Sequence, residues 1–320
     1  MLNLILLITF VTVLTKKFTD MKQLLIRFNA AIILLLLFSF QSRGADKYTL
    51  EYNLVKGKTY TQHVITNGSI AMNAMGQDML MDIKMDVNVQ FNIIDRTDTV
   101  YNARMLYQRI KMDMTGPMSY TFDSDSSAHS TDNNVATVLR SLTGVPIDIQ
   151  LTKTGKVLSV KNLDKLNEKI DAAGNAQYKQ MLGQQFSESS IQKLVEQTSS
   201  YFPGKPVAIG DNWDMSMNIN TNGIDLIEKL QITLKEVKDN VATLEFTGTI
   251  ATPEGGSVAK LNGMDAKVVM DGTQTGTVRL NKDTGWNIVS ELNQKTTSNF
   301  EVMGQSLQQK MNMKTTITGD

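Results

Sequence analysis

The chain has 320 residues, with 32 basic and 32 acidic side chains, 41% hydrophobic residues and no cysteine. This composition is typical of a folded globular protein, and the balanced charge disfavours a protein that binds nucleic acid. The lack of cysteine excludes disulfides, thiolate nucleophiles, iron–sulfur clusters and zinc–thiolate sites. Methionine is the unusual count, at 19 residues.

Residues 1–44 have the pattern of a leader that is removed on export. Two apolar stretches, 2–14 and 30–40, are both shorter than the ~20 residues that a helix needs to span a bilayer. Lys22 and Arg27 precede the second stretch, and Ser42-Arg43-Gly44 follows it as a small-x-small cleavage site. We therefore expect a secretory signal peptide, with an N-terminal membrane hairpin as the alternative.

Met21 is the expected start, which makes residues 1–20 an upstream in-frame extension. The expected mature chain, 45–320, is exported to the periplasm or the extracellular space, with no stable membrane span and, because it lacks cysteine, no lipid anchor. This mature chain is mildly acidic, because the leader is predominantly basic.

The strongest structural signal is a strict alternation of apolar and mostly polar residues. A spacing of two places alternate side chains on one face of a strand, which an amphipathic helix cannot do. The alternation over residues 79–93 predicts one strand of about sixteen residues, which is well beyond the usual ~3–10. Such a long strand must coil to keep one face buried. The apolar residues of this strand are Met79, Met81, Ile83, Met85, Val87, Val89, Phe91 and Ile93.

The mature chain divides into a β block at 45–123, a helical middle at 131–202 and a second β block at 205–320, which we expect to form a single domain. Helical spacing from Val135, from Leu163 and around Ile191 predicts three helices, the last beginning at Ser187, with Ser189 or Ser190 as alternatives. The fold class is mostly β: a large curved antiparallel sheet or half-open barrel with long strands and a few covering helices. The other predicted strands are 48–54, 59–72, 99–114, 118–122, 147–151, 157–160, 213–219, 226–237, 241–251, 266–269, 275–280, 287–298 and 309–318.

A weak internal repeat links the two β blocks. Met75-Gly76-Gln77-Asp78-Met79 matches Met303-Gly304-Gln305-Ser306-Leu307, and each copy is a Gly-centred turn that leads into an alternating, Met-rich strand. The repeat predicts that the two blocks present equivalent hairpins beside each other in one sheet.

Four Met-x-Met pairs place thioethers together on predicted strand faces. Three interpretations stay open: ordinary core packing, the lining of an apolar ligand cavity, and a soft Cu(I) site. We name a candidate ligand-lining set and predict no metal, no cofactor and no catalytic residue. The Met-x-Met pairs are Met79/Met81, Met112/Met114, Met215/Met217 and Met311/Met313, and the ligand-lining set is Met79, Met81, Met85, Phe91, Met311 and Met313.

The remaining chemistry-bearing residues form no recognised motif. His63 and His129 are the only histidines and lack metal-ligand spacing, although His129 could still belong to a Ser-His-Asp triad. Asp123, Asp125 and Asp132 could bind Ca²⁺, but a solvated acidic loop is the simpler interpretation.

Trp213 and Trp286 each follow a turn at a strand start, where rim packing is expected and stacking on a sugar is the alternative.

Several motifs at turns and strand starts are spread over most of the mature chain: the run from Tyr48 to Tyr60, Met75-Gly76-Gln77, Lys153-Thr154-Gly155-Lys156-Val157, Gly210-Asp211-Asn212-Trp213 and the run from Leu280 to Trp286. The chain thereby resembles a family of exported Gram-negative envelope proteins that is filed as a domain of unknown function. The resemblance implies export and a β-rich fold and supplies no catalytic residues. A looser likeness is to periplasmic lipoprotein carriers, whose curved half-barrel is covered by helices.

Three hypotheses for function follow. The first is a non-catalytic envelope protein whose Met-lined curved sheet binds a hydrophobic small molecule or a lipid. The second is a structural or interaction module with a filled core that binds another envelope protein. The third is a hydrolase of unrecognised type. No nucleic acid is expected as a partner.

Overall fold

The computed structural model describes residues 46–320 except 75–76, 118, 126–138, 173–182, 184–185, 222 and 262–263. The described chain is dominated by antiparallel strands, and its helices are short. The strands of the first part are β1 (Lys47–Tyr48), β2 (Thr59–Ala74), β3 (Gln77–Arg96), β4 (Val100–Thr115), β5 (Tyr120–Asp123), β6 (Ile147–Thr152) and β7 (Val157–Lys161). Helices α1 (Asp164–Asp171) and α2 (Glu188–Ser199) follow. The strands of the second part are β8 (Val207–Ala208), β9 (Asn212–Thr221), β10 (Ile224–Lys238), β11 (Val241–Ala251), β12 (Ser257–Leu261), β13 (Met264–Asn281), β14 (Asn287–Val302) and β15 (Gln305–Gly319).

Thirteen of these strands form one open sheet, in the order β7-β6-β4-β3-β2-β15-β14-β13-β11-β10-β9, with β5 paired to β4 and β12 to β13. All of its pairs are antiparallel, and the sheet is not closed into a barrel. The predicted fold class, a large antiparallel sheet with long strands and few helices, is confirmed. A separate two-stranded pair joins β1 to β8.

The first and last long strands of the chain are neighbours in the sheet. Strand β15 pairs with β2, so that Met311 lies opposite Ile70 and Met313 lies opposite Gly68. Hairpins β2–β3 and β14–β15 therefore lie side by side, as the repeat predicted. Met303 and Gly304 adopt positive φ at the turn between β14 and β15, whereas Met75 and Gly76 lie outside the described residues.

Strand β3 confirms the prediction from alternation and is longer than expected, at 20 residues. The face that carries Met79 through Ile93 at every second position is the more buried one, and we call it the inner face of the sheet. Residues that pair across neighbouring strands point to the same face of the sheet. The registers therefore define the inner face of all the remaining strands. The opposite, more exposed face is the outer face.

Two of the strand predictions are wrong, the strand at 48–54 and the division of 266–280 into two strands. Residues 48–54 were expected to form a strand, but regular pairing ends at Tyr48. Beyond it, the backbone N–H groups of Tyr52 and Asn53 donate to the carbonyls of Lys153 and Thr284, so the segment lies across two turns instead of along a strand. Leu50, Tyr52 and Leu54 are still buried, because alternation reports side-chain burial and not the identity of the backbone partner.

The segments 266–269 and 275–280 were expected to be separate strands, but they belong to the single strand β13. Gly272 lies between them and suggests a break. Continuous pairing with β14 on one side and β11 on the other keeps the backbone extended through this glycine.

The helices begin close to where helical spacing predicts. Ser187 is the N-cap of α2, and its hydroxyl accepts a hydrogen bond from the backbone N–H of Ser190. Helix α1 begins at Asp164, directly after Leu163. Of the helix predicted from Val135, residues 139–142 are helical and the first part lies outside the described residues.

The two ends of the sheet differ in packing. We call the end where β2 passes into β3 and β14 into β15 the hairpin end, and the opposite end, where Tyr60, Phe91 and Trp286 lie, the aromatic end. The aromatic end holds a continuous core that includes Leu166 and Ile191 from the helices. The inner face of the first block opens progressively from there toward the hairpin end.

Candidate ligand-binding face

The candidate site is the inner face at the hairpin end of β2, β3, β4 and β15, which we call the methionine face. Met81 pairs with Ile70, and Ile70 pairs with Met311 on its other side. In the next row toward the aromatic end, Ile83 and Met313 flank Gly68. Register thus brings methionines that are far apart in sequence into one contiguous apolar patch.

These side chains are half-buried and not sealed in a core. Met79, Met81, Met311 and Met313 are all of intermediate exposure, whereas Met105 on the same face at the aromatic end is 2% exposed. Half-exposed apolar side chains that lie side by side leave an apolar surface that water covers at a free-energy cost.

Gly68 shapes the centre of the methionine face. A Cβ atom at this position would lie 3.0 Å from the Sδ atom of Met313, so the missing side chain leaves room for the Met313 thioether. Because methionine is unbranched and polarizable, its side chain adapts to differently shaped apolar partners. The floor of the face is therefore deformable.

The other two residues of the ligand-lining set lie nearer the aromatic end. Met85 pairs with Met112 and Thr66 and is half-buried, so it continues the methionine face. Phe91 lies on the same face but is buried, with its ring 5.6 Å from that of Trp286. Phe91 thus forms the packed wall against which the open face ends.

The row through Met81 and Met311 continues into the second β block. It runs on through Thr296 of β14, Gly272 of β13 and Ile250 of β11. It ends at Glu228 of β10 and its neighbour Met217 of β9. One line across the inner face therefore joins half-exposed methionines to a carboxylic acid.

Glu228 is buried without a counter-charge. It is 5% exposed, its Oε2 atom has no hydrogen-bond partner, and the amide of Gln274 bonds to the carboxyl group. Burial raises the pKa of Glu228, and the hydrogen bond from Gln274 offsets this only in part. No Lys or Arg of the described chain forms an ion pair with it.

The site set chosen from the sequence omitted Glu228, although the sequence does carry a signal for it. In β10, Leu226, Leu230, Ile232 and Leu234 alternate on the inner face, and Glu228 occupies the one inward position of this run that is charged. A charged residue in phase with an apolar alternation predicts a buried ionisable group.

The acidic residues considered for Ca²⁺ are bound by an arginine. Arg109 donates to Asp123 at 2.6 and 3.1 Å and lies 3.4 Å from Asp125. The guanidinium hydrogen bonds lower the pKa of Asp123. The positive charge of Arg109 therefore already balances the Asp123 carboxylate and lies near that of Asp125. Asp132 lies outside the described residues.

His63 lies on the outer face, 2.8 Å from a carboxylate oxygen of Asp86. Among the residues that the structure describes, no serine hydroxyl bonds to this histidine, so the pair lacks the nucleophile of a triad. His129 lies outside the described residues.

Trp286 is buried, and Trp213 is half-buried at the margin of the core of the second β block. Trp286 is buried against Tyr60, at 4.9 Å between ring centroids, and its indole N–H donates to the carbonyl of Thr61. The indole N–H of Trp213 donates to the carbonyl of Tyr201. Rim packing therefore accounts for both rings.

A depression of about 530 Å³ opens behind the methionine face, and Gly68, Ile83 and Met313 of that face contribute to its lining. Lys84, Lys295 and Lys314 line it together with Asp82 and Asp113. Its charges are mixed in sign and exposed to solvent, as is usual for the polar side of a half-buried sheet.

Solved structures match this chain at low identity, among them the following three. The first, from a study of lipid–protein interactions in lipovitellin, has 6% identity and a TM-score of 0.49; the match covers 83% of this chain, which spans 25% of that one. An outer membrane channel from Pseudomonas putida F1 has 8% identity and a TM-score of 0.26, covering 84% of this chain and 97% of that one. The translocator domain of autotransporter NalP from Neisseria meningitidis has 7% identity and a TM-score of 0.22, covering 90% and 95%.

No curated protein matches this chain. None of the helices in the described part of the chain combines the length and hydropathy needed to cross a membrane. Residues 98–287, more than half of the sequence, match a family of unknown function, DUF6263. The chain therefore belongs to the DUF6263 family.

Proposed function

We propose that this protein is an exported, non-catalytic envelope protein that binds an apolar ligand, such as a lipid, on the methionine face. The observation that carries the proposal is the half-exposure of Met79, Met81, Met311 and Met313 on one contiguous inner surface. An ordinary core would bury these side chains, as the aromatic end buries Met105. An apolar ligand would remove the same surface from water.

The choice of residues supports a ligand of variable shape. Unbranched thioethers repack at a low cost in strain, whereas the β-branched and aromatic residues of the aromatic end hold one arrangement. A face that binds acyl chains of different lengths gains from this adaptability. The outer face of the same strands carries charged and amide side chains, which remain in contact with water.

Exposed apolar residues at the hairpin end also support contact with an apolar phase or a partner. Leu80 is 61% exposed, Met264 42% and Met303 85%, and all three lie at or near hairpin turns. Three large apolar side chains held in water at one end of a sheet indicate a surface that meets something apolar. This end is where a ligand would enter the methionine face.

Native mass spectrometry of the protein purified from the cells that produce it tests the proposal. We expect an additional mass of lipid size, which is lost in the double variant Met81→Gln/Met311→Gln. The outer-face variant Lys310→Gln is the matched control, because Lys310 lies one residue from Met311 on the opposite side of β15. A ligand-free wild-type protein, or retention of the same ligand by the double variant, would contradict the proposal.

A protein-interaction module with a filled core is the second candidate. Its support is the same exposed group, Leu80, Met264 and Met303, together with the sealed core of the aromatic end. Crosslinking in envelope extracts separates the two candidates. A module requires a reproducible protein partner that is lost in Leu80→Ser/Met303→Ser, with no lipid bound to the wild-type protein.

A further inference from the structure

Glu228 is an ionisable residue of the inner face that the ligand proposal does not use. It lies in the same cross-strand row as Met81 and Met311. In the order β15-β14-β13-β11-β10, Met311 is on the first strand and Glu228 is on the fifth. Between Met311 and Glu228 the row passes Thr296, Gly272 and Ile250. An amphiphile laid along this row would have its chain on the methionines and its headgroup near Glu228.

The chemistry of Glu228 selects the headgroup. Its Oε2 atom has no partner, while the carboxyl group already accepts a hydrogen bond from Gln274. A buried carboxylate without a cation is costly, and a ligand that supplies both a hydrogen-bond donor and a positive charge removes that cost. An ammonium group supplies both. An alcohol supplies only the donor, and a carboxylate adds a second negative charge.

The neighbours of Glu228 on the edge strand are flexible side chains. Met217 is its direct neighbour on β9 and is half-buried, as is Met215 two residues away on the same face. Both are flexible thioethers on the edge strand of the sheet. Both side chains can change rotamer without breaking a strand pair.

We propose that Glu228 and Gln274 form the headgroup subsite of the ligand face and that the subsite selects amphiphiles with a primary ammonium group. The inference rests on the proposed function, because it assumes that an apolar chain binds on the methionine face. Glu228 forms the ion pair with the ammonium group, and Gln274 positions the carboxyl group by its hydrogen bond.

The test compares three probes of equal chain length, hexadecylammonium, 1-hexadecanol and hexadecanoate, as competitors of a polarity-sensitive apolar dye at pH 7.5. We expect the wild-type protein to bind hexadecylammonium at least about tenfold more tightly than 1-hexadecanol, and hexadecanoate most weakly. In Glu228→Gln we expect the amine and the alcohol to bind equally well, to within about twofold, while 1-hexadecanol binding is retained. Glu236→Gln, an exposed acid on the same strand, keeps the wild-type preference.

The outcomes separate this inference from the proposal on which it rests. Equal binding of hexadecylammonium and 1-hexadecanol to the wild-type protein overturns the headgroup subsite and leaves apolar ligand binding intact. An unchanged amine preference in Glu228→Gln overturns it as well. If none of the three probes displaces the dye, ligand binding on the methionine face fails, and the subsite fails with it. The wild-type comparison stands whether or not the variant folds.

Discussion

The two ends of the inner face are built on the same strands and yet use different residues. At the aromatic end, Tyr60, Phe91 and Trp286 fill the space between sheet and helices. At the hairpin end, the same strands β2, β3 and β15 carry methionines that remain half-exposed. Rigid aromatic packing supplies stability at one end, and the adaptable apolar surface at the other end is where we propose that a ligand binds.

This difference implies a division of labour between the two ends. Side chains that bury fully gain the whole free energy of transfer from water, so the aromatic end dominates the stability of the fold. Half-exposed side chains gain only part of it and can gain the rest when a ligand covers them. The predictions below sharpen or break this contrast, in order of expected effect.

The largest effect is expected at the aromatic end. Trp286→Ala removes the ring that contacts Tyr60, Phe91 and Tyr52, and with it a hydrogen bond to the backbone of Thr61. We expect a loss of about 3–5 kcal/mol in the free energy of unfolding, measured by urea denaturation. A loss of less than about 1 kcal/mol would mean that the aromatic end is not the main source of stability.

The second effect concerns the close approach of strands in the second β block. A Cβ atom at Gly276 would lie 2.2 Å from the carbonyl oxygen of Glu291 and 2.4 Å from the ring of Phe246. Gly276→Ala should therefore cost roughly 1–3 kcal/mol, because the backbone or the ring must shift. Thr275→Ala, on the exposed outer face of the same strand, is the control and should change the thermal midpoint little. Equal effects of the two substitutions would contradict this packing.

The third effect is the pH dependence that Glu228 confers. Burial raises its pKa in the folded state, so its contribution to stability is complete below the ordinary pKa of a glutamic acid and is lost as pH rises through the folded value. Glu228→Gln should match the wild type in free energy of unfolding near pH 4 and exceed it near pH 8. Urea denaturation at the two pH values measures this difference. A wild-type protein that gains stability relative to the variant as pH rises would contradict the assignment.

The smallest effect on stability is expected on the methionine face. Met81→Ala should cost less than about 1 kcal/mol, because the side chain is half-exposed in the absence of a ligand. Met105→Ala, with the same change of side chain at a buried position, should cost about 2–5 kcal/mol. Similar losses in the two variants, read from parallel urea titrations, would show that the methionine face is packed.

The alternation along β3 was sufficient to predict the long strand and the inner face, because period-two burial is a local property. The placement of β15 beside β2 was signalled by the repeat of Met-Gly-Gln turns. The path of residues 49–55 could not be predicted, since its partners, the carbonyls of Lys153 and Thr284, are remote in sequence.

The degree of burial is also a property of the whole fold. Sequence alone could place Phe91 and Met79 on one face but could not show that one is sealed and the other half-exposed. That depends on which elements cover each end of the sheet. The pairing of Gln274 with Glu228 likewise needs a register across β13, β11 and β10 that no local pattern encodes.

The central claim is that the methionine face is open in the free protein and covered by an apolar ligand. Oxidation by hydrogen peroxide, followed residue by residue by peptide mass spectrometry, tests it most directly, because thioether oxidation depends on access. In delipidated protein we expect Met79, Met81, Met311 and Met313 to oxidise at least about tenfold faster than Met105, and to slow when lipid is added back. Rates as slow as that of Met105, or rates that lipid leaves unchanged, would contradict the claim.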